Sequence, residues 1–508
     1  MKTTRFIYLL MFAAVTMTAQ AKDYTDQLLV LVNGEGSTQE ATISVNEQNG
    51  LYNLSLRNFI LKTGETPVPV GNVEMKGIKP ETAGNAIFLR TSQNVTIANG
   101  DLPEVATWMG PMFGELPVQV TAVLEGDGLR ALIDLDLTNL LGQVINVAFG
   151  QALVSGTGYH VPNGDFEAWH TSTGTYQEPN AWHSFESASG TLASLAGHHI
   201  EKSNDGHNGS ACARIFSTSI FGIIANGTMT TGRMNAGAMT ATDPDNHAFL
   251  DMSETDKDGN GDPFYVSLTG RPDALGLWMK FKQGKANSDH PYATVSAVIT
   301  DGTRYQEPED KPYTNVVARA SNSQIAVTGD EWQYICIPFT YTDNPVEPRA
   351  IMVTVSTNAD PGEGSDGDEV FVDDLALIYN SSLQSLAVDG FQPDKYEYDV
   401  TTSVDAGQLA AVADGKGAYV LTAADEAEGI ITIDVYAADL RSQSTYIIHY
   451  PKNTDGIDTV EMSDGRNKMD DMSASWYTLD GRRIASPAQG RLVIVRQADG
   501  KVVKSIRR

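Results

Sequence analysis

Two short segments, about two hundred residues apart, carry carboxylates inside otherwise apolar, strand-like runs. One is Asn163-Gly164-Asp165-Phe166-Glu167-Ala168-Trp169; the other is Val370-Phe371-Val372-Asp373-Asp374-Leu375-Ala376-Leu377. A carboxylate beside a core is costly unless it is paired or bound to a cation. A first and a last strand that both carry one therefore predict neighbours that share a hard cation. Structural calcium is the expected ion, held by Glu167 and by Asp373 or Asp374, with backbone carbonyls completing the shell. Strand alternation puts Asp373 and Asp374 on opposite faces, so one of the two is the expected ligand. The competing reading is an exposed strand edge whose charges deter pairing.

Other residues could do chemistry with less support. The loop Asp256-Lys257-Asp258-Gly259-Asn260-Gly261-Asp262 has oxygen donors at its first, third and fifth positions and a glycine at the sixth, like the start of an EF-hand loop. Pro263 and Ser267 then break that pattern, so a solvated turn is expected. Six of the nine histidines fall between His160 and His207 with no zinc-motif spacing, and are read as surface or packing residues. Carboxylates are plentiful, but no pair stands out as the two facing groups a glycosidase needs. No nucleophile elbow, His-Glu-x-x-His helix or catalytic-cysteine context occurs. For ligand binding, Trp169, Tyr176 and Trp182 cluster in a loop-rich segment where flat rings could receive sugar C–H faces. Tyr305 and Tyr313 form another such group. Trp278 and Trp332 alternate with apolar neighbours and are expected in the core.

The elements that position these residues are strands. Period-two alternation cut by Gly, Asn, Asp and Pro runs through almost the whole chain after residue 22, as in Tyr52-Asn53-Leu54-Ser55-Leu56. Asn49-Gly50, Asn99-Gly100, Gly126-Asp127-Gly128, Asp301-Gly302 and Asp499-Gly500 read as hairpin turns. The one short helix candidate is Pro103–Met112. At 508 residues the chain should hold several cores. Its net charge of −29 argues against nucleic acid and anionic membrane surfaces as partners. The tail from Trp476 is basic, at +6, which leaves −35 on residues 1–475. Residues 1–21 read as a secretory signal peptide: Lys2 and Arg5, the apolar run Phe6–Val15, then Ala19-Gln20-Ala21. No later run is long enough to span a membrane as a helix. With two cysteines, Cys212 and Cys336, an exported chain is not stapled by disulfides, and both are expected as small buried hydrophobes.

Composition divides the mature chain into sections at 22–152, 155–380 and 381–452, a polar linker at 453–474, and a tail at 475–508. The first, through Leu51-Tyr52-Asn53-Leu54-Ser55-Leu56-Arg57-Asn58-Phe59 and Gly142–Gly150, resembles the calycin-like (lipocalin-type) barrel domains of exported Bacteroidetes proteins. A barrel filled by its own side chains is expected. The second contains both carboxylate segments, Gly270–Phe281 and Glu331-Trp332-Gln333-Tyr334-Ile335-Cys336-Ile337-Pro338-Phe339. It resembles the putative carbohydrate metabolism domain family, which implies a jelly-roll sandwich and a carbohydrate substrate class. The third, from Leu383–Gly390 to Ser444–Tyr450, is similar to small cadherin-like or Ig-like sandwiches. The tail resembles type IX sorting domains, which implies the export machinery as a partner.

The fold class expected is thus all-β: a lipocalin-like barrel, a jelly roll, a small Ig-like sandwich and a short β tail. The expected function is glycan binding through the central domain of an exported protein, in the periplasm, on the outer-membrane surface or secreted. A glycoside hydrolase or lyase in that domain, and a non-catalytic structural or adhesive surface protein, are the alternatives.

Overall fold

The computed structural model describes residues 21–32, 35–62, 66–138, 142–150, 161–172, 175–257, 259–268, 270–402 and 404–451, and the strands of the tail. The expected signal peptide, most of the linker and the Asp499-Gly500 turn lie outside the described residues. Within them the chain is nearly all strand, as its alternation requires.

Nine strands make the first domain: β1 (Lys22–Val32), β2 (Glu35–Gln48), β3 (Leu51–Leu61), β4 (Val68–Ile78), β5 (Pro80–Ala83), β6 (Ala86–Thr96), β7 (Glu115–Glu125), β8 (Gly128–Leu137) and β9 (Gln143–Phe149). They form one sheet in the order β4-β3-β2-β1-β9-β8-β7-β6-β5. The sheet curls until β4 meets the segment after β6, where Asn72 and Ala98 exchange backbone hydrogen bonds of 2.9 and 3.0 Å. That closure needs a glycine. Gly71 sits at φ +122, and a Cβ there would lie 2.2 Å from Ala98 O. Alternate residues fill the interior, among them Leu28, Val30, Ile43, Val45, Leu54, Leu89, Val120 and Phe149. Asn49 and Gly50 take φ values of 56° and 77°, the left-handed pair a tight hairpin demands.

Two local expectations fail here. Asn99-Gly100 is not a hairpin turn; Gly100 is small because the Trp108 ring lies where its Cβ would be, 2.2 Å away. Pro103–Met112 forms no helix, and only a single 3-10 turn appears at Gly110–Phe113. Gly110 is pinned against Val70 O and Ile97, so close packing overrides the weak helical pattern.

The barrel's outer face is not all solvated. Phe88, Val123, Leu132 and Ala148 share a buried cluster with Tyr419, Leu421, Tyr436 and Leu440 from much later in the chain. The Phe88 and Tyr419 rings meet edge-on at 4.9 Å. Around them, Arg130 Nη1 donates to Ala438 O at 2.8 Å and Tyr419 Oη donates to Glu125 Oε2 at 2.6 Å.

The central domain is a two-sheet sandwich. The first sheet runs Ile200–Ser203, Cys212–Phe216, Glu369–Ile378, Ala274–Lys282, Gln333–Pro338 in spatial order. The second runs Thr228–Thr230, Ala350–Ser356, Ala293–Thr300, Val316–Ile325, Thr340–Tyr341, with Val266–Ser267 also paired to Ala350–Ser356. Leu275, Leu277, Met279, Phe281, Val370 and Val372 face Val295, Ala297, Ile299, Val353 and Val355 across one core. Cys212 is buried, but Cys336 is exposed, against expectation, because Ile335 and Ile337 take the inward positions on its strand.

In the third section, Glu397–Asp399, Gln443–His449, Ile430–Tyr436 and Tyr419–Asp425 form a four-stranded sheet, and Leu383–Leu386 pairs with Ala411–Ala413. The tail forms a five-stranded sheet ordered Val460–Met462, Val502–Ile506, Leu492–Arg496, Ser475–Tyr477, Arg483–Ile484. The chain makes two compact units. The described residues up to Ser382 cluster with Ala413–Leu421 and Val435–Gln443, and the rest forms the second unit.

Candidate functional site

The outer face of the second sandwich sheet is divided in two. On one half, Val298, Val316, Ala350 and Met352 are covered by Met234, Ala248, Leu250 and Tyr305, which form a small second core. On the other half the outward positions of the same strands, Thr294, Ser296, Arg319, Ser321, Thr354 and Ser356, stay open and floor a cavity of about 530 Å3. Alternation dictates this floor, because Val295, Ala297, Ala320, Val353 and Val355 on these strands point into the main core.

The cavity combines polar and apolar groups. Glu307 reaches it from the Gln306–Glu307 strand, its Oε2 accepting from Ser296 Oγ at 2.8 Å. Burial holds the Glu307 carboxyl above the ordinary carboxylate range, and Glu309 adds to this, while Ser296 and Arg319 act in the opposite sense. Arg319 is ion-paired to Glu309, which also accepts from Tyr305 Oη at 3.2 Å. Asn226 donates to Asp360 O at 3.0 Å, leaving its buried Oδ1 without a partner among the described residues. Above this floor stand Leu195, Ile223, Met239 and Phe221, all exposed.

Phe221 is the most unusual of them. It caps the hairpin joining Thr218–Ile220 to Ile223–Ala225, is 82% exposed, and sits at φ 53 beside Gly222. A bulky residue in the left-handed region is strained, and an exposed phenyl gains nothing from the core in return. The φ values of 53° and 81° at Phe221 and Gly222 are the left-handed pair that this two-residue hairpin demands, and the turn holds the phenyl at the pocket rim.

The residues singled out in the sequence fall elsewhere. The two carboxylate segments do meet: Leu375 N donates to Gly164 O at 2.8 Å. Both clamp one loop. Glu167 Oε1 accepts from Ser210 N at 2.6 Å and Ala211 N at 2.9 Å, and its Oε2 accepts from Ser210 Oγ at 2.5 Å. Fully buried Asp373 takes His207 N at 2.7 Å and Asn208 N at 3.2 Å on Oδ2, and Asp374 N at 2.8 Å on Oδ1. Burial pushes its carboxyl up to about 6 against these bonds. Asp374, at φ 47, contacts His207 Nδ1 at 2.7 Å. Backbone N–H groups, the Ser210 hydroxyl and His207 Nδ1 thus contact the carboxylates for which calcium was expected.

The aromatic expectations change more. Trp182 is fully buried, its ring 5.3 Å from Phe166 and its Nε1 donating to Pro162 O at 3.0 Å, so it is a core residue and not a ligand platform. Trp169 is half-buried against the same core, with Nε1 on Phe166 O at 2.6 Å. Tyr176 is exposed and stacked on His198 at 4.0 Å. Trp278 and Trp332, expected inside, lie on the outer face of the first sheet. His207 stacks on Trp278 at 3.9 Å, and Lys280 Nζ sits 4.4 Å from the Trp332 ring. In Ala274–Lys282 the inward places belong to Leu275, Leu277, Met279 and Phe281, so residue 278 must point outward. Tyr305, by contrast, is buried under the pocket and Tyr313 packs on it at 5.0 Å. Apart from Tyr305, the pocket residues gave no signal in the sequence, because they come from many separated segments between Phe185 and Gly362.

Comparison with known proteins assigns the first domain. Residues 21–151 match the family described as calycin-like beta-barrel domain. The calycin-like domain is the nine-stranded curled sheet described above. Among curated proteins, no sequence matches the chain. Among solved structures, the chain is similar to one described as "Structural basis for the promiscuous specificity of the carbohydrate-binding modules from the beta-sandwich super family". The likeness covers 71% of this chain and 97% of that one, at 10% identity and a TM-score of 0.20.

Proposed function

We propose that the protein binds carbohydrate in the pocket on the outer face of the central sandwich. The observation that carries this reading is one cavity of about 530 Å3 that joins a hydroxyl, carboxyl and guanidinium floor to an apolar rim. Its size lies in the roughly 300–1,000 Å3 range of small-molecule sites. A sugar ring has the matching asymmetry: C–H faces for Phe221 and Met239, hydroxyls for Ser296, Ser321 and Glu307. Arg319, fixed by Glu309, adds a planar fork of donors. The signal-like start and the basic tail support an exported protein that meets glycans outside the cell, with the export machinery as a further partner through the tail.

The test is calorimetry and a glycan array with the full chain. Phe221→Ala leaves every core untouched, and Arg319→Ala removes a charged donor worth about 1.5–3 kcal/mol, or roughly 10- to 150-fold in affinity. Loss of binding in both variants supports the site. A folded chain that binds no glycan, or variants that bind like the wild type, would overturn it.

A second reading has its own observation. Glu307, a buried carboxyl held above its ordinary range, and Glu309, the ion-pair partner of Arg319, both line the pocket, so it holds the two carboxyl groups a general-acid mechanism would need. Reducing-sugar release from a polysaccharide panel, lost in Glu307→Gln while binding persists, would make the pocket hydrolytic.

A further inference from the structure

Away from the pocket, three side chains converge with their inner atoms unused. His170 and Glu178 face each other across the hairpin of Trp169–Thr171 and Gln177–Pro179. Asp256 enters from the loop after Asp251–Thr255. One nitrogen of His170, one oxygen of Glu178 and one of Asp256 all lie within 4.8 Å of one another. Glu178 is 0% exposed, Asp256 4%, and the His170 side chain 10%.

Each residue is tied by one atom and free at the other. His170 Nδ1 is 3.1 Å from Asn180 Oδ1, so the proton belongs on Nδ1 and the Nε2 lone pair points inward. Glu178 Oε1 accepts from Ser184 N at 2.7 Å and also from Ser184 Oγ. Asp256 Oδ1 accepts from Gly259 N at 3.1 Å. The remaining atoms, His170 Nε2, Glu178 Oε2 and Asp256 Oδ2, are buried without a hydrogen-bond partner among the described residues. Nε2 and Oδ2 stand 3.7 Å apart, close to the edge of a coordination polyhedron built on bonds of about 2.0–2.2 Å. A Cβ at Gly259 would fall 2.1 Å from Asp256 Oδ2 and 2.8 Å from His170 Nε2, so the glycine keeps this space clear.

Two buried carboxylates and an imidazole with no compensation would be costly. The same three atoms are a ready donor set for a divalent cation, with outer hydrogen bonds that orient each ligand. We propose that His170, Glu178 and Asp256 bind a divalent transition ion of the zinc class. An imidazole nitrogen beside two carboxylates suits zinc and its neighbours, whereas calcium takes shells of oxygen alone. Three protein ligands leave a fourth position for water. The ion ties the hairpin to the loop that closes through Asp256 N to Asp262 O at 2.8 Å. The site is independent of the carbohydrate pocket.

The experiment uses the full chain, stripped with a chelator and shown by circular dichroism to remain folded. Zinc is titrated by calorimetry, cobalt is added as a visible-absorption probe of coordination, and the melting temperature is read with and without zinc. One high-affinity zinc, a cobalt d–d spectrum and a zinc-dependent rise in melting temperature are expected. His170→Gln and Glu178→Gln should weaken zinc at least 100-fold, and Asn180→Ala, which touches only the outer hydrogen bond, about 10- to 100-fold. A folded wild type that takes up no zinc overturns the proposal. So does zinc binding that all three variants retain, or a response to calcium in place of zinc.

Discussion

Replacing Asp373 by alanine tests whether the joint between the two ends of the sandwich is held by backbone amides. The substitution strips acceptors from His207 N, Asn208 N and Asp374 N at a fully buried position. Each buried donor left unpaired costs about 1–3 kcal/mol. Part of that is offset, because the carboxyl is itself desolvated, as its rise to about 6 shows. The net loss expected for Asp373→Ala is about 3 kcal/mol, near the upper end of ordinary single substitutions. Asp373→Asn keeps one acceptor and should cost about half as much. In a domain of this size 3 kcal/mol lowers the melting temperature by roughly 6–12 °C. Urea unfolding followed by tryptophan fluorescence reads the change, and hydrogen exchange at His207 and Asn208 localises it. Trp278, stacked under His207, reports the same loop. An unchanged midpoint with unchanged protection of those two amides would refute the clamp. A calcium-dependent rise in melting temperature that Glu167→Gln abolishes would put an ion in the joint instead.

Other outcomes follow from single contacts. Gly71→Ala forces a Cβ to 2.2 Å from Ala98 O at φ +122, so it should open the barrel seam and cost about 2–4 kcal/mol, read by urea denaturation. Glu307, whose folded pKa is raised by burial, contributes stability that is complete below the ordinary carboxylate range and is lost as pH rises through the raised value. The destabilisation caused by Glu307→Gln should therefore shrink as pH rises; growth with pH would refute the burial argument. Cys336, exposed, should react with a thiol reagent in the native protein, while Cys212, buried with its thiol pushed up to about 11, reacts only on unfolding.

The fold was legible because period-two alternation with Asn-Gly turns leaves few options besides antiparallel sheets. Leu51–Phe59 and Gly142–Gly150 became β3 and β9 of the barrel. The meeting of the Glu167 and Asp373 segments was legible too, since carboxylates beside apolar runs need partners. What they meet was not: the amides of 207–211 carry no side-chain signature. Trp278 and Trp332 were misplaced because alternation gives two faces without saying which is inward. Only the flanking Leu275, Leu277 and Phe281 on the real core settle it. The His170–Glu178–Asp256 cluster was hidden for a different reason. The loop reads as a solvated turn and the histidine as a surface or packing residue, because the contact that buries Asp256 spans 86 residues of chain and spacing is silent at that distance.

The apolar patch on the outside of the barrel has a consequence in time. Its last strand residue is Ala148, and the first residue of its cover is Tyr419, 271 positions later. At synthesis rates of about 5–20 residues per second, Phe88, Val123 and Leu132 face water for roughly 14–54 s before their partners exist. During that interval the nascent barrel is sticky on its outside, and any product ending short of Leu440 stays so for good.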